Sequence, residues 1–476
     1  MTKSNLLIIL SDEHQSRAMG CAGHPFVKTP NLDKLAARGT RFTNAYTPSP
    51  ICVPARASFA TGLYPHQTRM WDNAMPYEGS IRGWGHALQE KGVPVESIGK
   101  LHYRSEEDPA GFDVEHIPMM VADGVGMVWA SIRKEDERIL GPGRMLGDYI
   151  GPGNSKYTDY DEAVVTRTKA WLDDRSGGED PWCLYVGLVA PHFPLVVPQE
   201  FYDMYPADMM PEVKLHPDKG HPRHPWVERQ NAFMDSESKF KSEQERNSAL
   251  RAYYGLCSWL DYNIGQILAA LEESGQLDNT TIIYSSDHGD NVGARGLWGK
   301  SNMYEESAAV PMIMAGPNVA TGTCDTPVSL LDLAATIATH FEADFTPADG
   351  VTDLSSIAEN PTKDRVVFSE YHAAGAVSGA FMLRKGDWKL IHYVGFPDEL
   401  FNLAEDPEEL RNLATDPDSA EKLAELHAEL SAICDPAATD AQAFADQASL
   451  IERVGGREAA LGLGAPGATP PPEMAK

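Results

Sequence analysis

Five short apolar runs punctuate the first two-thirds of the chain: Leu6–Leu10, Val93–Ile98, Trp182–Val189, Thr281–Ser285 and Val310–Met314. Each reads as a buried parallel strand. Helical periodicity lies between them. Pro30–Arg38 opens with Thr29-Pro30-Asn31 and stops at Gly39, Asp161–Asp173 is a second stretch, and Glu243–Glu273 is a long one ending at Gly275. Strands alternating with helices predict an α/β unit on a large, mainly parallel sheet flanked by helices. The pattern changes near Asp364. Val366–Tyr371, Ala380–Arg384 and Trp388–Tyr393 read as strands, with turns at Lys385-Gly-Asp387 and Gly395-Phe-Pro397, and Ala420–Cys434 reads as a helix. The expected organisation is a large unit at 1–363 and a smaller α+β subdomain on an antiparallel sheet at 364–435. An Ala-, Gly- and Pro-rich tail at 436–476 is expected to be disordered or to serve as an oligomerisation arm reaching a neighbouring subunit.

The polar residues that follow the apolar runs carry the chemistry. Leu6–Leu10 is followed by Asp12, Val93–Ile98 by Lys100 and His102, Trp182–Val189 by Pro191-His192, and Thr281–Ser285 by Asp287-His288. In open α/β sheets ligands bind at the carboxyl ends of strands. Four loops therefore deliver carboxylates, imidazoles and an ammonium to one rim. The aperiodic stretches Arg104–Lys156 and Pro206–Ser242 read as long loops that cover a site or are solvated. His216, His221 and His224 lack the tight spacing of a metal site and read as solvated loop.

Residues 52–56 read Cys-Val-Pro-Ala-Arg. Pro54 suits the first turn of a helix, where its missing N–H costs nothing. Cys52 is then expected at a helix N-terminus, a favourable place for an anion, with Arg56 one turn on along the same face.

Composition narrows the ligand. The chain is 42% hydrophobic and 23% charged over 476 residues, enough for a large core and two domains. A net charge of −29 argues against nucleic acid and anionic membrane surfaces as partners. An anionic substrate must then be drawn in by a local positive pocket. The six cysteines are scattered, with no zinc or disulfide spacing. The apolar start is too short for a signal peptide, and no stretch approaches a membrane span, so a cytoplasmic protein is expected.

The block Cys52-Val-Pro-Ala-Arg-Ala-Ser-Phe-Ala-Thr-Gly62 resembles the signature of the type I, formylglycine-dependent sulfatases of the alkaline phosphatase superfamily. Further blocks follow the family's order: Thr29-Pro-Asn-Leu-Asp-Lys-Leu-Ala36, Gly99-Lys-Leu-His102, Ala190-Pro-His-Phe-Pro194, Ser286-Asp-His-Gly-Asp290 and Gly299-Lys-Ser-Asn-Met-Tyr-Glu-Glu-Ser307. Asp398-Glu-Leu-Phe-Asn-Leu-Ala-Glu-Asp-Pro407 is similar to the family's C-terminal subdomain, so the resemblance spans residues 4 to 415.

This resemblance implies an alkaline phosphatase-like fold and a hydrolase that cleaves the S–O bond of sulfate esters, giving an alcohol or phenol and inorganic sulfate. It implies that a formylglycine-generating enzyme oxidises Cys52 to an aldehyde. One hydroxyl of the hydrated aldehyde attacks sulfur, and the other loses its proton to expel sulfate. One divalent metal, Ca²⁺ or Mn²⁺, is implied on Asp12, Asp287, His288 and the oxidised Cys52. Many members have a second aspartate where Glu13 stands, so Glu13 either ligates through its longer arm or turns away. Many also have asparagine at His288, and the imidazole here tilts the choice toward Mn²⁺. Arg56, Lys100 and His102 match residues that orient the hydrate, His192 and Lys300 match those that serve the leaving oxygen, and Asn73 is a candidate pocket residue. Phosphonate monoester hydrolases of the superfamily share the cysteine motif and the Asp-His pair, but carry neutral hydroxyl residues where Lys100 and His102 stand. The basic pair favours sulfate esters. A phosphonate monoester hydrolase or phosphodiesterase is the alternative, and cross-activity between these ester classes is expected. Trp71-Asp-Asn-Ala74 resembles the choline sulfatases, whose ligand would need an aromatic cage and a carboxylate, with Trp129 and Glu370 as candidates. The expected partners are a small-molecule sulfate ester, the maturation enzyme and a second copy of the chain in a homo-oligomer.

Overall fold

The computed structural model describes residues 4–138, 145–465 and 467–473. Residues 139–144 of the Arg104–Lys156 loop lie outside the described residues. The centre is an eight-stranded sheet of β1 (Asn5–Asp12), β2 (Gly39–Phe42), β3 (Val95–Lys100), β4 (Val114–Met119), β5 (Cys183–Pro191), β6 (Thr280–Ser286), β7 (Met312–Ala315) and β8 (Gly322–Cys324). Their spatial order is β8-β2-β7-β6-β1-β5-β3-β4. β1 pairs in parallel with β5 and β6, β3 with β4 and β5, and β8 with β2. The Val310–Met314 run departs from its expected direction. As β7 it runs antiparallel to both β6 and β2. A parallel partner needs a crossover of a dozen or more residues, usually a helix. The segment between β6 and β7 holds a 3₁₀ turn at Ala294–Gly296 and the one-turn helix Glu305–Ala308, neither long enough to serve as a crossover helix.

Helices cover both faces: α1 (Pro30–Ala37), α2 (Cys52–Thr61), α3 (Lys156–Asp174), α4 (Glu243–Glu273) and α5 (Leu330–His340). The apolar run of β1 divides between two cores by its alternation. Leu7 and Ile9 pack with residues of α3 and α4, while Leu6, Ile8 and Leu10 pack with residues of α2 and α5. α3 starts at Lys156 rather than at Asp161 because Ser155 caps it, its hydroxyl accepting from Thr158 N at 3.2 Å.

The C-terminal sheet is an antiparallel meander of β9 (Val366–Tyr371), β10 (Ala380–Lys385), β11 (Trp388–Tyr393) and β12 (Glu399–Asn402), with α6 (Ala420–Ile433) packed on it through Leu426 and Leu430. Tyr371, Ile391 and Tyr393 share a core with Tyr46, Ile51 and Trp226 of the large unit. The tail forms α7 (Pro436–Arg453) and α8 (Arg457–Leu461). Pro436 stands in the first turn of α7, and the Asp435 carboxylate caps Ala437 N and Ala438 N. Thus the alanine and proline that suggested disorder build a helix here. The tail folds back on its own chain: Arg133 pairs with Asp440 at 2.8 Å, and Trp71 Nε1 donates to Asp446 at 2.8 Å. Among the described residues, no helix is long and apolar enough to cross a membrane.

Candidate active site

β6, β1, β5 and β3 lie side by side, and the loops that leave their carboxyl ends carry Asp287-His288, Asp12-Glu13, His192 and Lys100–His102. Asp161 of α3 accepts Val189 N and Ala190 N at 2.7 and 2.9 Å, fixing the end of β5 from which His192 projects. Glu13 and His102 take positive φ values of 69° and 61°. For such residues this conformation costs on the order of 1 kcal/mol or more, and it is kept only where the surroundings hold it. Here the Glu13 N–H donates to Asp287 and its carbonyl accepts from Tyr253, while the His102 N–H donates to Met119 O.

α2 supplies the other wall. Cys52 is its first residue, after extended Ile51, and Gly62 ends it at φ 69°. Arg56, one turn on, is almost wholly buried. Its Nε donates to Asp287 at 2.8 Å, its Nη2 to Asp12 at 3.1 Å, and its Nη1 to Tyr185 and Lys100 O, both at 2.9 Å. The Cys52 Sγ lies 3.2 Å from His288 Nε2 and 3.6 Å from Asp12 Oδ1. Lys100 Nζ pairs with Asp12 at 2.7 Å and Lys300 Nζ with Glu13 at 3.2 Å. His192 donates from Nδ1 to Phe193 O, leaving Nε2 facing Glu13 at 3.4 Å.

The field sorts these groups. Burial would raise Asp12, but Lys100, His192, Arg56 and Lys300 outweigh it and hold the carboxyl well below its usual range. Burial pushes Lys300 down, yet the charges at Cys52, Glu13, Asp12 and Asp287 hold its ammonium above its ordinary range. Burial, reinforced by neighbouring lysines, lowers His102 and His192, so both rings are neutral at pH 7. Burial and Asp12 push the Cys52 thiol up to about 11, so an unmodified thiol here is a poor nucleophile at neutral pH.

The donor set fits one divalent cation. Ligand atoms of Asp12, Cys52, Asp287 and His288 lie within 4.8 Å of one another, and Asp12, Glu13 and His192 form an overlapping group. Glu13 Oε1 accepts no hydrogen bond, and burial, with Asp290 and Asp12 nearby, pushes its carboxyl well above the usual range despite Lys300, a crowding of acids that a bound cation would relieve. Carboxylate oxygens with one imidazole suit Ca²⁺ or Mn²⁺.

A cavity of about 140 Å³ opens above these groups, and Cys52, Asn73, Lys100, His102, His192 and Lys300 all line it. Asn73 also accepts from Val53 N at 3.2 Å, capping the first turn of α2. Trp129 and Glu370 do not line it. Trp129 stacks on Phe233 at 5.6 Å, and Glu370 accepts from His66 and His372 at 2.7 and 3.0 Å. His216 and His224 cap local turns through Asp218 N and Trp226 N, and His221 is exposed. Sequence reasoning missed Asp72, Tyr157 and Thr469, which also line the cavity. Asp72 stood one residue from the singled-out Asn73. Tyr157 and Thr469 carried no local signal.

The sulfatase family model matches residues 4–343, and a model described as N-sulphoglucosamine sulphohydrolase, C-terminal, matches residues 293–435. The choline-sulfatase of Rhizobium meliloti is 34% identical, covering 85% of this chain and 81% of that protein. Arylsulfatase K of Danio rerio is 28% identical, covering 85% of this chain and 79% of that protein. The phosphonate monoester hydrolase of Agrobacterium radiobacter shares the fold with a TM-score of 0.75 at 22% identity, over 90% of this chain and 95% of that one. With the model matching most of the large unit, this chain belongs to the sulfatase family, sulfuric ester hydrolases of alkaline phosphatase-like fold.

Proposed function

We propose that this chain hydrolyses sulfate monoesters of compact alcohols or phenols, with residue 52 acting as formylglycine beside one divalent cation. The observation that carries this reading is the placement of Cys52, against His288 and Asp12, at the floor of a cavity also lined by Lys100, His102, His192 and Lys300. Asp12, Asp287, His288 and Glu13 would hold the cation, with Mn²⁺ favoured by the imidazole. When present, the cation lowers the pKa of the attacking hydroxyl and neutralises charge on the sulfuryl oxygens, and the formyl group supplies a hydrate in place of a thiol. Cys52 is 1% exposed, so the enzyme that oxidises it must reach it before the chain folds.

The chain's own residues do the rest. Arg56 clamps Asp12 and Asp287 in one geometry, and Lys100 pairs with the same Asp12 oxygen, Oδ2, leaving Oδ1 facing Cys52 and His288. Lys300 brings a permanent cation to the leaving side. His192 Nε2 is the atom that faces the site, beside Lys300 on the leaving side. Met127, Met145, Met234, Tyr157 and Phe193 make the outer cavity largely apolar. Asp72 is a carboxylate on that wall, and its oxygens are taken by Ala74 N, Ser131 and Gln447. This environment suits an apolar leaving group better than a sulfated sugar.

The test is kcat/KM on a nitrophenyl sulfate against a nitrophenyl phosphonate, using protein with residue 52 confirmed as oxidised by mass spectrometry. A clear preference for sulfate is expected. A preference for the phosphonate would move the chain to the phosphonate hydrolases, and turnover of neither would overturn the reading.

A further inference from the structure

The end of the tail is part of the active-site wall. Gly467, Ala468 and Thr469 line the cavity, although they stand more than 160 residues beyond Lys300 in the chain. Their placement is held from both sides. Trp129 Nε1 donates to Ala465 O at 3.0 Å, and Tyr157 donates to Thr469 O at 2.5 Å. Gly464 crosses Gly126 so closely that a Cβ there would meet the Gly126 carbonyl oxygen at 1.6 Å. The Thr469 hydroxyl, nearly buried, lies 2.8 Å from Nε2 of His102. The other ring nitrogen, Nδ1, is buried without a partner among the described residues. His102 thus has a fixed backbone, one nitrogen tied to the tail and one nitrogen free.

We propose that Thr469 is a positioning residue for His102: its hydroxyl fixes the imidazole and leaves Nδ1 as the nitrogen available to orient the hydrate at residue 52. A neutral imidazole carries one proton, and the hydrogen bond at one nitrogen sets what the other can do. The tail is then a component of the site. This inference rests on the sulfatase reading above for the role of His102.

The test compares wild type, Thr469→Val and Thr469→Ser on a nitrophenyl sulfate, all with residue 52 oxidised. Valine keeps the shape and loses the hydroxyl. The expected result is about a tenfold fall in kcat, the scale of one neutral hydrogen bond, with KM and melting temperature unchanged. Serine should restore most of it. In a His102→Gln background the valine substitution should have no further effect, because the hydroxyl acts only through the ring. A valine variant with wild-type kcat, a serine variant that fails to rescue, or an undiminished valine effect without His102 overturns the proposal. Imidazole ¹⁵N spectra of histidine-labelled protein read the contact without turnover. The His102 signals, identified by their loss in His102→Gln, should shift in Thr469→Val and stay in Thr469→Ser. If that shift is seen while the wild type cleaves no sulfate, the positioning stands and the sulfatase reading falls. If the signals do not move, the positioning falls.

Discussion

Lys300 and Glu13 face each other across the site with opposite demands. Lys300 lines the cavity and pairs at 3.2 Å with Glu13, which is buried behind it. Removing a fixed charge that acts on a developing oxyanion costs about 10² to 10³ in kcat. Lys300→Ala should fall in that range on a simple sulfate ester, and a loss below about tenfold would remove Lys300 from the leaving-group side. Glu13 Oε1 accepts no hydrogen bond and its carboxyl is pushed above the usual range by burial and Asp290, the condition that a cation held by its longer arm would relieve. Glu13→Gln keeps the shape and removes the charge. Chelator competition should show metal held about 10- to 100-fold less tightly. Unchanged retention would mean that Glu13 serves only Lys300.

At the scale of elements, the helix that carries Cys52 is held by the C-terminal sheet. Glu370, near the end of β9, accepts from His66 in the one-turn helix that follows α2, and from His372. Burial pushes the Glu370 carboxyl up, but the two histidines outweigh it and bring it down to about 2. An unfolded glutamate titrates near 4.3. The stability this carboxylate contributes is therefore complete above pH ~4.3 and is lost as pH falls toward 2. Burial lowers His66, but its bond to Glu370 outweighs that and raises it. Its contribution is complete below about pH 6.5 and is lost as pH rises through its folded value. The clasp is strongest between the two. Glu370→Gln should lower stability by about 1–3 kcal/mol near pH 5.5, with the gap closing toward pH 2. Urea midpoints across that range check this, and a constant gap would show that the charge is not what matters.

At the scale of the molecule, a net charge of −29 repels an anionic substrate that the pocket must nevertheless admit. The attractive groups, Arg56, Lys100 and Lys300, are buried and already paired with acids, so their reach outside the cavity is short. The Debye length falls from about 30 Å at 0.01 M to about 8 Å at 0.15 M ionic strength. Raising salt over that range should raise kcat/KM for a nitrophenyl sulfate by screening the repulsion, with kcat little changed. A fall instead would mean that the cavity's positive charge steers the substrate from a distance.

The features legible in the sequence are those written in neighbouring residues. Apolar runs of strand length located β1, β3, β5 and β6, and the polar residues just beyond them named Asp12, Lys100, His192 and Asp287. A strand's end and the loop that leaves it are contiguous in the chain. The Cys52–Arg56 spacing likewise put the two on adjacent turns of one helix. Tertiary structure decided whatever joins distant segments. The direction of β7 followed from the connection available after β6, not from its own apolar run. Trp129 and Glu370 had suitable chemistry for a ligand cage, but packing turned one onto Phe233 and the other onto two histidines. The tail's composition suggested disorder, yet helix propensity and the packing of α7 and α8 brought Thr469 against His102. Local periodicity sets which residues stand at a strand's end, whereas long-range burial alone sets what faces them.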